Sequence, residues 1–123
     1  MRVVAPLLKK NPGGSILDVS STAAHYGDGS SIVYSAAKVG LIGMTRSFVR
    51  LLAPEVRVSM RVPGTVATGS ASWPPEFYEG IGEQSPLKRL ATKEEFAAGA
   101  VFLAADASDR KIAATSRGRA KGR

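Results

Sequence analysis

The sequence predicts an α/β fold built on a parallel sheet. Two strand-like runs, residues 15–20 and 56–62, flank a long helical pattern over residues 31–53. Strand, helix and strand in this order form a βαβ unit, and such units are almost always parallel and right-handed. A parallel sheet needs more strands and cover on both faces. We therefore expect the 123 residues to supply only part of a larger sheet.

The first third of the chain shows clear starts and stops. Residues 1–10 are apolar and basic, and they predict a short helix that ends at residues 11–14, Asn-Pro-Gly-Gly. The β-prone run at 15–20 is bounded by glycines on one side and hydroxyl residues on the other, which predicts the first strand. Residues 21–30 contain two glycines around Asp28 and predict a loop.

The middle third carries the long helix and the second strand. Pro54 ends the helix, and residues 56–62 alternate until they stop at Pro63-Gly64. The helical pattern predicts one broad apolar stripe, formed by Val33, Ala37, Leu41, Met44, Phe48, Leu51 and Leu52.

The last third before the tail is less regular. Residues 65–91 are rich in Pro, Gly and Ser, and they predict irregular structure with one helical turn near 76–81. Thr92 and Glu95 have the spacing of a capping box, which predicts a helix that begins there and runs to about Ala105.

Composition excludes several kinds of site. The chain has no cysteine, so it can form neither disulfides nor thiolate sites. His25 is the single histidine, which excludes a multi-histidine metal site within one chain, and we interpret it as a solvated loop residue. No apolar run is long enough to cross a bilayer, and no secretory pattern follows Met1, so we expect a cytoplasmic protein without a membrane partner.

The net charge of +7 comes from the end of the chain. Six of the 17 basic residues lie in residues 110–123, which hold no acidic residue; residues 1–109 therefore hold 11 basic and 10 acidic groups. We expect residues 1–109 to form the folded part and residues 110–123 a disordered basic tail; a tail that binds phosphates without sequence preference is the alternative. The nearly neutral body argues against a nucleic-acid-binding or membrane-surface protein.

One cluster of residues predicts chemistry. Tyr34 and Lys38 are four residues apart on the long helix, so the phenol and the ammonium share a face. A cation at that position stabilises a phenolate, which a proton-transferring tyrosine requires. Ser21 follows the first strand, at the carboxyl edge where open α/β sheets bind their ligands. An ordinary exposed Tyr–Lys pair is the alternative interpretation.

With these motifs the chain resembles the short-chain dehydrogenases/reductases from about Met1 to Asp106. The resemblance rests on the residues at 14–21 (Gly-Ser-Ile-Leu-Asp-Val-Ser-Ser), 34–38 (Tyr-Ser-Ala-Ala-Lys) and 63–68 (Pro-Gly-Thr-Val-Ala-Thr), supported by those at 86–90 and 94–97. It implies a partial, doubly wound Rossmann-like sheet that lacks the N-terminal nucleotide-binding half. The implied activity is NAD- or NADP-dependent hydride transfer between an alcohol and a ketone.

The resemblance also implies roles for individual residues. Tyr34 would be the general acid/base, Lys38 would stabilise its phenolate and bind the nicotinamide ribose, and Ser21 would bind the substrate oxygen. The turn that contacts the nicotinamide would consist of Pro63, Gly64, Val66 and Thr68. In the family the long helix packs against its twin, which implies a homodimer or homotetramer of the full-length form.

The chain departs from the family in several places. It has no glycine-rich turn after an early strand, so the phosphate-binding half of the cofactor site is absent from it. Arg61 occupies an apolar strand position, where an unpaired guanidinium would be costly. Asp18 replaces an asparagine, and we expect it to form a structural hydrogen bond rather than act as a second acid. The alternative to an active oxidoreductase is therefore a truncated, non-catalytic fragment that cannot bind the cofactor alone.

Overall fold

A computed structural model describes residues 3–10, 13–68, 74–105 and 108 of the chain. The predicted basic tail, residues 110–123, lies outside these ranges. In chain order the elements are α1 (Val4–Lys10), β1 (Gly14–Val19), α2 (Ala23–Tyr26), α3 (Ile32–Leu52), β2 (Val56–Arg61), β3 (Val66–Ala67), α4 (Pro75–Gln84), β4 (Ala91–Thr92) and α5 (Lys93–Ala104).

The predicted βαβ unit is present. β1 pairs with β2 in parallel, in register from Gly14 with Val56 to Val19 with Arg61, and α3 connects the two strands. Among the described strands β1 has β2 as its single neighbour, so its other edge is open within these residues. This arrangement matches the expected partial parallel sheet.

One face of the β1–β2 pair forms the core with α1 and α3. Alternate strand residues point to the same face, and Ile16, Val56 and Val58 pack there against the end of α3. Leu52 and Val56 are each only 2% exposed. The remaining members of this cluster are Ala5, Leu8, Phe48 and Val49.

The opposite face of the pair contacts α5. Arg57 donates from Nη1 to the carbonyl of Leu103 at 2.9 Å and from Nη2 to that of Ala104 at 3.1 Å. The Ser15 hydroxyl donates to the same Ala104 carbonyl at 3.3 Å. The last carbonyls of a helix lack intrahelical donors and carry partial negative charge, so a guanidinium there is favourable. Helices thus cover both faces, as in a doubly wound sheet.

The broad stripe predicted on α3 is only partly buried. Leu52 is buried, and Leu41 and Phe48 are half-buried. The other predicted members, Val33, Ala37, Met44 and Leu51, are exposed. Two strands offer a narrow surface, so they cover one side of a 21-residue helix rather than the whole stripe.

Three further elements differ from the predictions. The segment predicted as a loop contains the helical turn α2, α4 is ten residues long rather than one turn, and β3 pairs with β4 in parallel. The two-residue strands of that pair are too short to leave a periodic pattern in the sequence. Within the described ranges, no helix combines the length and apolarity that crossing a membrane requires.

Candidate active site

The start of α3 places Tyr34 at the carboxyl end of β1. Ser31 is the N-cap, and its hydroxyl oxygen accepts a hydrogen bond from the Tyr34 N–H at 3.0 Å. This contact satisfies one of the free donors in the first helical turn and fixes where the helix begins. The Tyr34 side chain is 38% exposed, so a small molecule can reach it.

Lys38 extends from the next turn of α3 to the end of β1. Its ammonium donates to the Val19 carbonyl at 2.9 Å and lies 5.5 Å from the centroid of the Tyr34 ring. The Ser20 N–H donates to the Arg61 carbonyl of β2. Because the C=O and N–H of a trans peptide point in opposite directions, the Val19 carbonyl points away from β2. The ammonium is therefore held at the open edge of β1, beside the tyrosine.

Ser20 attaches the same helical turn to the strand, a role that the sequence analysis did not assign. Its side chain is only 2% exposed, and its hydroxyl donates to the Lys38 carbonyl at 2.9 Å. The contacts of Val19 and Ser20 with Lys38 together fix the helix against the end of β1. The two consecutive serines at 20 and 21 are the sequence feature that could have indicated this contact.

Ser21 follows directly and is half-buried. Its hydroxyl oxygen accepts a hydrogen bond from the Ala23 N–H at 3.2 Å. A serine hydroxyl has one hydrogen to donate and two lone pairs. Accepting from Ala23 leaves that hydrogen available for an acceptor such as a substrate oxygen.

Gly29 makes room for the tyrosine ring, which the sequence analysis also missed. A Cβ atom at Gly29 would lie 2.8 Å from Tyr34 Cδ1 and 2.7 Å from Ser35 Oγ. Real Cβ atoms are not found at such distances, so a larger residue would displace the ring or the loop. The sequence shows a glycine in the loop before the helix, but it does not show that this glycine lies against the Tyr34 ring.

The turn after β2 lies against the segment that follows Ser21. The Thr22 N–H donates to the Pro63 carbonyl at 2.9 Å, and a Cβ at Gly64 would lie 3.9 Å from Thr22 Cγ2. Val66 belongs to β3, where it pairs with Ala91, so this part of the predicted turn is a short strand. Thr68 is exposed. Pro63, Gly64, Val66 and Thr68 thus follow β2 in the chain, and the Pro63 carbonyl places the start of this segment against Thr22.

The structure also shows the surroundings of Asp18 and His25. The Asp18 carboxylate accepts a hydrogen bond from the Thr45 hydroxyl at 2.5 Å, which confirms the expected structural bond. His25 is exposed in the last turn of α2. No group of three or more metal-ligating side chains occurs in the part of the chain that the structure describes.

Comparison with known proteins identifies the family. Residues 1–115 match the family model described as enoyl-(acyl carrier protein) reductase. The short-chain dehydrogenase/reductase SDRA of Arabidopsis thaliana is 38% identical over 108 residues, which are 85% of this chain and 42% of the relative. The chain belongs to the short-chain dehydrogenase/reductase family.

Other short-chain dehydrogenases/reductases show the same partial match. The D-xylose 1-dehydrogenase of Caulobacter vibrioides is 37% identical over 108 residues, 85% of this chain and 44% of the relative. The crystal structure of a 3-oxoacyl-[acyl-carrier protein] reductase with bound NAD, from Brucella melitensis, matches with a TM-score of 0.71 and 30% identity. That match covers 89% of this chain and 40% of the other. The chain thus spans less than half the length of these relatives.

Proposed function

We propose that the chain carries the catalytic half of an NAD(P)-dependent oxidoreductase that interconverts an alcohol and a ketone in the cytoplasm. The contact between the Lys38 ammonium and the Val19 carbonyl supports this proposal most directly. It holds a cation beside the Tyr34 ring at the strand end that Ser21 follows. Carboxyl ends of parallel strands are where such sheets bind ligands.

Tyr34 and Ser21 act on the substrate oxygen. In the reductive direction the Tyr34 phenol donates its proton to the developing alkoxide, and in the oxidative direction its phenolate takes the alcohol proton. The free hydrogen of the Ser21 hydroxyl donates to the same oxygen and orients it. The charge of Lys38 stabilises the phenolate that remains after the proton leaves.

The side chains at this edge fit the nicotinamide end of NAD(P). The Lys38 ammonium has three hydrogens, of which Val19 takes one, so the others can reach ribose hydroxyls. The exposed Thr68 hydroxyl, together with Pro63, Gly64 and Val66, provides polar groups for the carboxamide. When bound, NAD(P) supplies or accepts the hydride. The Brucella melitensis reductase, a member of the same family, holds NAD.

The test joins this chain to the nucleotide-binding half of a family relative and measures NAD(P)H absorbance during turnover. Tyr34→Phe should lower kcat by about 10²- to 10⁴-fold, the usual contribution of general acid/base catalysis, and leave cofactor binding nearly unchanged. Ser47→Ala removes a hydroxyl from the exposed side of the same helix and serves as the control. Equal rates for Tyr34→Phe and the parent chimera would refute the assignment.

The alternative is a non-catalytic family fragment. One observation favours it: the sequence of the 123 residues contains no glycine-rich turn for a pyrophosphate. Under this alternative the tyrosine, lysine and serine are in place but the cofactor is not held. Direct measurement of cofactor affinity decides between the two.

A further inference from the structure

A cavity of about 790 Å³ opens next to the candidate active site. One part of its wall is formed by Thr22, which follows Ser21, by Gly64 of the turn after β2 and by Val66 of β3. Arg61 and Phe96 form another part, on the sheet face that α5 covers. Because Thr22 adjoins Ser21 in the chain, a substrate whose reacting oxygen is held at Ser21 would have this cavity beside its remaining atoms.

The Arg61 guanidinium is held in that wall by contacts with Phe96 and Gly99. Its guanidinium carbon lies 4.4 Å from the centroid of the Phe96 ring, and Nη1 donates to the Phe96 carbonyl. A Cβ atom at Gly99 would lie 2.7 Å from the same guanidinium carbon, so the glycine provides the space for it. These contacts correct the expectation of a costly unpaired guanidinium, because stacking and a hydrogen bond compensate for its partial burial.

The other charged groups of the wall do not neutralise Arg61. Arg89 and Glu95 pair with each other through two hydrogen bonds, of 2.8 and 2.7 Å. Asp28 is exposed, so water screens its carboxylate. Within the described residues Arg61 has no acidic partner. A guanidinium has five N–H donors. Within the described residues, the hydrogen bond from Nη1 to the Phe96 carbonyl is the one that Arg61 makes, so its other donors are available to a ligand.

We propose that Arg61 determines substrate specificity by binding a carboxylate on the substrate. The planar guanidinium matches the two oxygens of a carboxylate better than those of any neutral group. The substrate class is then an alcohol or ketone that carries an acid group away from its reacting oxygen. The identification of this ligand as a substrate rests on the proposed function. The binding of a carboxylate at Arg61 does not depend on that function.

The binding test uses the 123-residue chain and acetoacetate as the probe, compared with its neutral methyl ester. Acetoacetate at millimolar concentration should shift the NMR signal of the Arg61 Nε–H group, and the ester should bind at least tenfold more weakly. Arg61→Met should abolish saturable acetoacetate binding, and Arg61→Lys should retain part of it. Arg46→Met, an exposed position on α3, is the matched control and should bind as the parent does.

Equal affinity for acetoacetate and its ester would overturn the proposal, as would unchanged acetoacetate binding in Arg61→Met. If Arg61→Met does not fold, Arg61→Lys still decides, since undiminished affinity in that variant would show that guanidinium geometry is irrelevant. No cofactor or turnover enters this measurement. A failed binding test therefore leaves the role of Tyr34 standing, and a failed Tyr34 test leaves the anion site standing.

Discussion

At the scale of single residues, the position of Lys38 depends on an atom outside its own helix. Helical spacing brings the lysine to the tyrosine, but the Val19 carbonyl decides where the ammonium lies. The Ser20 hydroxyl donates to the backbone carbonyl of the same lysine. The proton transfer that we propose for Tyr34 therefore depends on the Val19 carbonyl and the Ser20 hydroxyl, two contacts of Lys38 that helical spacing does not predict.

Lys88 provides a test of backbone strain. Its φ is 54°, in the left-handed region that residues with a Cβ occupy at a cost of roughly 1 kcal/mol. Lys88→Gly should therefore raise the free energy of unfolding by about 1 kcal/mol relative to Lys88→Ala, as measured by urea denaturation. The alanine variant keeps the Cβ and removes the exposed Lys88 ammonium bond to the Glu83 carbonyl, so it isolates the backbone effect. Equal midpoints for the two variants would contradict this explanation.

At the scale of elements, α5 has the best-defined start in the described part of the chain. The Thr92 hydroxyl accepts from the Glu95 N–H, and the Glu95 carboxylate accepts from the Thr92 N–H, so the predicted capping box is confirmed. Arg89 adds two hydrogen bonds to the same carboxylate. The spacing of Thr92 and Glu95 predicted the reciprocal cap. The Arg89 contact was not predicted, because Arg89 lies in a segment that the sequence analysis described only as irregular.

This start of α5 should make stability depend on pH. The hydrogen bonds from Arg89, and then that from the Thr92 backbone, lower the pKa of Glu95 to about 2. A carboxyl whose pKa is lower in the folded state stabilises the fold above its unfolded pKa, which is about 4.3. Its contribution is lost as the pH falls from there to about 2. Urea unfolding at several pH values should thus show the parent's advantage over Glu95→Gln shrinking across this window.

Glu94→Gln is the control for that experiment. Glu94 lies in the same helical turn and is exposed, and its nearest ionic contact is Lys93 at 3.9 Å. Exposed ion pairs of this kind contribute little. The advantage of the parent over Glu94→Gln should therefore change little with pH, and a slope as large as that of Glu95→Gln would point to a general charge effect.

At the scale of the whole molecule, α3 leaves much apolar surface uncovered. Val39 is 50% exposed and Met44 44% exposed, and neither belongs to the core cluster. We propose that this surface pairs two copies of the chain, and light scattering should then show a dimer or a larger species. Val39→Lys should shift the population towards monomer, whereas Arg46→Lys, which adds no charge, should not. A monodisperse parent monomer would contradict the proposal.

The 123-residue chain should bind NAD or NADP weakly by itself. Its candidate contacts, at Tyr34, Lys38, Val66 and Thr68, belong to the nicotinamide end, and a fragment-sized set of contacts supports roughly millimolar affinity. Pyrophosphate binding at a helix N-terminus supplies much of the affinity in such sheets. Calorimetry at physiological salt should show no saturation in the micromolar range. A micromolar dissociation constant for NAD or NADP would contradict the interpretation of the chain as a non-catalytic fragment.

The βαβ unit, the cap of α5 and the family could all be predicted from the sequence, because each depends on local periodicity or on residues at fixed spacing. The buried side of α3 and the pairing of β3 with β4 could not be predicted in this way, since both depend on segments far apart in the chain. The same is true of the setting of Arg61. The strand position alone predicted a buried, unpaired charge. In the structure the guanidinium stacks on the Phe96 ring and occupies the space that Gly99 leaves, and both residues belong to α5. Contacts between distant residues follow from how the helices pack on the sheet, which no local pattern encodes.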